Sequence, residues 1–180
     1  MKLLKKYFIK LDKIVGQTLY IFCILCFTGL FLVIALDVLM RFVHIFPMGW
    51  SSDVIEFFFV WLVFMGAASL WRGNKHFYVP FIFQKIKNKE LNIEQVVTII
   101  INILSLLFLS IMVYYGLKLT LFANDLTPTL RISKRFFYIS IPLAGLIMIS
   151  YTIYNVIQNI KIILYGKRKE KLKQEANEVM

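Results

Sequence analysis

The chain has 180 residues, of which 59% are hydrophobic and only 17% charged, against about a quarter charged in an ordinary soluble domain. A water-soluble fold of this length could not hide so much apolar surface. The net charge of +11 is divided among short segments, which argues against nucleic-acid binding and for contact with anionic lipid headgroups.

Residues 1–13, MKLLKKYFIKLDK, place Leu4, Phe8 and Leu11 at helical spacing with lysines between them. This predicts an amphipathic helix on a membrane surface. Residues 14–36 carry no charge, and about 20 residues at about 1.5 Å each cross a hydrocarbon core of about 30 Å. That run is too long for the core of a cleaved signal peptide, and no small-x-small site follows, so span one is expected at about 14–40. Cys23 and Cys26 form a CxxC inside it, where apolar surroundings make packing the expected role rather than redox or metal chemistry.

Span two is expected at about 54–72, and its entrance is unusual. Asp53 lies just outside the apolar run and Glu56 near the membrane–water boundary, while Trp50 and Trp71 bracket it as interface anchors. Asp37 and Arg41 stand i,i+4 at the end of span one, and Asp53 and Glu56 stand i,i+3 on the next helix. An intramembrane carboxylate needs a partner, so Arg41 is expected to pair with a span-two carboxylate and make Asp37, Arg41, Asp53 and Glu56 a structural polar cluster. Gly66, Ala67, Ala68 and Ser69 form a small patch that lets helices approach closely in lipid, within this chain or against another. Arg72 and His76 close the span. His44 and His76 fall in different connections, on opposite sides of the membrane, and cannot ligate one haem iron.

Aromatic and basic residues around Pro80 predict a short interfacial helix leading to span three, at about 95–118. The stretch NDLTPTLRISKRFF, with Pro128 as a turn signal, predicts a loop before span four at about 136–161. Residues 166–180 are charged and polar, a solvated helix or a disordered tail. The expected fold is an all-α membrane protein with four transmembrane helices plus amphipathic interfacial helices. With both termini cytoplasmic, the inner side carries 16 Lys and Arg and the outer side 5, which fixes the expected orientation. There is no internal repeat, no broken-helix pair, and no nucleotide, hydrolase or metal motif, so no catalytic, cofactor or metal residues are assigned and no enzyme activity is expected.

Several stretches together resemble a known family: DVLMRF closing span one, Trp50, DVIEFFFVWLVFMGAA, RGNKHFYV, and SKRFFYISIPLAG entering span four. They are similar to the small, unfused Q-type membrane subunit of tripartite ATP-independent periplasmic (TRAP) transporters, over roughly residues 13–160. The resemblance implies a heterodimer with a large elevator-type membrane subunit, a periplasmic substrate-binding protein as third component, and sodium-driven import of organic acids of the sialic acid or C4-dicarboxylate type. It implies a bacterial inner-membrane location and a bracing role, with substrate and sodium sites in the large subunit. Trp50, Gly66, Ala67, Arg72, His76, Pro142 and Gly145 are then candidates for helix packing or the subunit interface. Arg131, Lys134 and Arg135 are candidates for contact with the binding protein. Two other classes compete: a four-span exporter acting as a homodimer, and a membrane anchor of an enzyme complex.

Overall fold

The computed structural model describes residues 2–43, 49–72 and 91–178, with side-chain surroundings over 12–42, 49–72 and 97–161. The described elements are α1 (Lys2–Val43), α2 (Ser51–Arg72), α3 (Leu91–Phe122), the single turn α4 (Arg135–Tyr138) and α5 (Ser140–Glu178). Four helical stretches, Asp12–Phe42, Ser51–Arg72, Val97–Phe122 and Arg135–Lys161, are long and apolar enough to cross a bilayer. Helices are required there, because hydrocarbon offers no partner to a free backbone N–H or C=O. The four expected spans are therefore present, and the chain is a multi-pass membrane protein.

One detail differs from the sequence expectation. The amphipathic segment and span one form one uninterrupted helix, α1. The polar tail continues α5 to Glu178. The expected interfacial helix around Pro80 lies outside the described residues, apart from the start of α3 at Leu91.

The long helices stand in a row rather than a closed bundle. α1 packs on α2, α2 on α5, and α5 on α3, and among the described residues the backbones of α1 and α3 do not meet. Burial is greatest in α5, which packs on both α2 and α3. Only 11% of the first and second spanning windows is buried against 39% of the fourth. The core is correspondingly thin. Leu19, Met65, Ala68, Leu109, Ala144 and Met148 run through the row, flanked by Phe22, Trp61, Phe64 and Trp71. Phe22 and Phe57 both set their rings against Trp61, at 5.5 and 6.1 Å between centroids, and Phe57 meets Phe137 edge-on at 5.3 Å.

Pro142 explains why α4 and α5 are separate. Proline lacks the N–H that would bond to the carbonyl four residues back, and its ring crowds that carbonyl. Nearby carbonyls find other donors: Trp61 Nε1 gives a 3.0 Å hydrogen bond to Phe136 O, and Ser140 Oγ a 2.7 Å bond to Phe137 O. The break therefore also ties α2 to the entrance of span four.

Candidate functional site

The polar side chains gather at the two ends of the row. At the terminal end, where α1 enters and α2 leaves the membrane, Arg72 forms a two-pronged pair with Asp12. Its Nε donates to Asp12 Oδ1 at 2.7 Å and its Nη2 to Oδ2 at 2.8 Å. Tyr151 of α5 donates its hydroxyl to the same Oδ1 at 2.9 Å. One carboxylate thus joins three helices, including α1 and α5, whose backbones do not meet. Gly16 makes room for this. A β-carbon there would overlap the Arg72 guanidinium, so the arginine lies flat on α1 only over a glycine. The two charged side chains remain about one-third exposed, at 34% and 33%. Nearby, Trp71 Nε1 donates to Thr152 Oγ1 at 2.9 Å, and Thr152 passes its own proton to Met148 O at 2.8 Å.

At the loop end, Ser51 Oγ donates to Asp37 Oδ1 at 2.7 Å, fastening the start of α2 to the end of α1. Asp53 is buried, at 3% exposure, by the loop that precedes α4. Its Oδ2 accepts backbone N–H bonds from Thr129 at 3.1 Å and Leu130 at 2.7 Å. Thr129 Oγ1 in turn donates to Gly49 O at 3.0 Å. Across the same loop Leu126 and Ser133 form an isolated antiparallel bridge, and the buried Thr127 exchanges bonds with Ile132. Arg131 is held there at a φ of 53°, a conformation that costs a non-glycine residue about 1 kcal/mol or more and persists only where the surroundings dictate it. Arg135 closes the end of α3: its Nε donates to Ala123 O at 2.7 Å and its Nη2 to Asn124 Oδ1 at 3.0 Å. A cation on the last carbonyls of a helix satisfies orphan acceptors and complements the dipole.

The expected cluster is therefore arranged differently. Arg41 pairs with Asp37 of its own helix at 2.7 Å and not with a span-two carboxylate; its side chain is 77% exposed. The i,i+4 partner is already beside it, whereas a partner on α2 must be reached across a gap. Asp53 instead binds loop amides, and Glu56 faces outward on α2. The small patch is divided as well. Ala68 is fully buried, but a β-carbon at Gly66 would meet nothing within 4 Å, since two residues turn a helix by about 200°. Ala67 is half-buried beside the core, and Trp50 is exposed where α2 begins. Gly145 is a true packing position, because a β-carbon there would overlap Val113 of α3. Cys23 and Cys26 are free thiols, the latter buried. His44 and His76 lie outside the described residues. Among those described, no three His, Cys, Asp or Glu side chains converge to hold a metal ion.

The sequence reading missed Asp12, Gly16, Tyr151 and Thr152. One signal for Asp12 was available: it is the sole carboxylate in a lysine-rich segment, placed where a span begins.

What this arrangement does is hold helices in register. The family model for the DctQ component of tripartite ATP-independent periplasmic transporters matches residues 30–162, well over half of the chain. The chain belongs to the DctQ family. It is thus the Q-type small membrane subunit of a TRAP transporter, and the matched region includes the loop-end ties, Arg72 and the Pro142 break. A search of curated proteins found no match. Of the terminal-end network, Asp12 and Gly16 precede the region that the DctQ model matches.

Proposed function

We propose that this DctQ chain is the fixed, bracing subunit of a sodium-driven importer of organic acids, of the sialic acid or C4-dicarboxylate type. In this reading it forms a heterodimer with a large elevator-type membrane subunit in the bacterial inner membrane and works with a periplasmic substrate-binding protein. The observation that carries the proposal is a row of helices fastened at both ends. An elevator needs a part that stays still, and a lipid-embedded layer pinned at both ends suits that part. The positive-inside rule places the terminal end in the cytoplasm and the Asp53-bound loop in the periplasm. The loop is then a pre-formed surface offering Arg131 and Lys134 to an acidic partner, with Arg135 committed to capping α3.

Purification of the tagged chain from its native membrane in gentle detergent, with mass spectrometry of what accompanies it, tests the reading. A stoichiometric, much larger polytopic protein is expected, and sodium-dependent uptake of an organic acid should require both chains. Recovery of a stable homodimer alone would overturn the proposal in favour of the small exporter.

A further inference from the structure

Between α3 and α5 lies a cleft of about 520 Å³, lined by Ile103, Leu106, Leu107, Ile111, Ile153 and Ile157 among others. Its origin is in the sequence. Toward the loop end, Gly116 and Gly145 let the two helices press together: a β-carbon on Gly116 would come within 2.8 Å of Ile141, and one on Gly145 would overlap Val113. Toward the terminal end the cleft opens between Ile103, Leu107 and Ile111 of α3 and Ile153 and Ile157 of α5. Ser110 is the sole polar residue in its wall, and its hydroxyl is turned back to Leu106 O at 2.7 Å. The interior therefore has no free hydrogen-bonding group for water, and left empty it would forfeit dispersion contacts along its whole length.

A second transmembrane helix, about 10–12 Å across with its side chains, could lie over this cleft but not enter it, because the walls belong to two helices already in contact. A hydrocarbon chain is narrow enough. The depth also fits. Ile153 and Ile157 lie two turns and one turn before Lys161, so the cleft begins about 6 Å from the lysine and runs beyond about 12 Å, the range of one leaflet of a core about 30 Å thick. Lys161 is exposed and ends the spanning stretch.

We propose that the α3–α5 cleft is a binding site for an anionic phospholipid of the leaflet at the terminal end, with one acyl chain in the cleft and the phosphate on Lys161. The site does not depend on the transport reading above.

The test uses the full chain in nanodiscs containing a trace of phosphatidylglycerol with a diazirine midway along one acyl chain. After illumination, labelled residues are mapped by mass spectrometry. Leu107, Ile153 and Ile157 should be labelled severalfold more than Ile21 and Ile24, which are about equally open to lipid on α1 and lie in its terminal-end half. Lys161→Gln should lower the cleft labelling about fivefold, the effect of one cation near an anionic headgroup, and leave the α1 labelling unchanged. Lys173→Gln, in the charged tail, should change neither. A phosphatidylcholine probe should show no preference for the cleft. Equal labelling of the cleft and α1 would reduce the site to bulk lipid and overturn the proposal. A cleft preference that survives Lys161→Gln, or that disappears when the larger membrane partner is present, would overturn it equally.

Discussion

Gly16→Ala should change sign according to what stands at position 72. An alanine in a helix interior is about 0.8–1.0 kcal/mol more favourable than glycine. In an Arg72→Ala background the three atoms that crowd the new methyl group most closely are gone, so the substitution should stabilise the chain by about that amount. With Arg72 present, the methyl group occupies the guanidinium position, where even Nε would be 2.9 Å away, and the arginine must swing off α1. That breaks two bonds of 2.7 and 2.8 Å to Asp12. Interhelical hydrogen bonds in membranes average about 0.6 kcal/mol each, and partial exposure of the pair keeps the total near 1 kcal/mol. The helix gain is then cancelled, and Gly16→Ala alone should be close to neutral. The double-mutant cycle, measured by reversible unfolding in mixed micelles, should return a coupling of about 1 kcal/mol. Equal effects of Gly16→Ala in both backgrounds would refute the view that this glycine exists to seat Arg72.

Gly145→Ala meets the stiff, β-branched Val113 rather than a movable arginine, so overpacking of about 1–3 kcal/mol should outweigh the helix gain and lower stability in the same assay. Gly66→Ala, with open space beside it, should raise stability of the isolated chain by up to about 1 kcal/mol. Asp53→Ala removes the acceptor for Thr129 and Leu130, and hydrogen exchange at those two amides should accelerate while α3 and α5 stay protected. Arg41→Ala removes an exposed cation while Asp37 keeps its bond from Ser51, and unfolding should shift by less than about 1 kcal/mol.

The spans were legible because each is written over many residues, and lipid permits only one backbone solution to such a run. Pairings were not, because they depend on which helices become neighbours. Asp12 belongs by sequence to an amphipathic segment, and Tyr151 to an apolar run. Only the α1–α2–α5 order brings them together, and it depends on contacts between residues 139 positions apart. Arg41 was legible as an i,i+4 partner of Asp37, and the longer-range pairing failed because a partner on the same helix needs no other helix to be in place. The four small residues of α2 read as one patch in the linear sequence, but about 100° per residue distributes them around the helix, so Ala68 is buried and Gly66 is not.

A row of four helices is a poor solution in water, because it leaves Phe27, Phe31, Leu104, Phe108 and many others uncovered. In lipid those faces cost little, but for the same reason there is little hydrophobic force pressing the helices together. Register along the membrane normal must then come from packing steps and from polar bonds. The positions of those bonds answer this need. Sliding α1 past α2 by one turn, about 5.4 Å, would break Asp12–Arg72 at one end and Asp37–Ser51 at the other in the same movement. Sliding α2 past α5 would cost Trp71–Thr152 and pull Trp61 from Phe136 O. The α1–α2 pair is thus pinned near both membrane surfaces, and α2 is tied to α5 near one of them and to α4 from its middle. The α3–α5 pair is fixed instead by Gly116, Gly145 and the loop closed by Arg135. A layer so pinned resists shear along the membrane normal, which is what the bracing role proposed above requires of it.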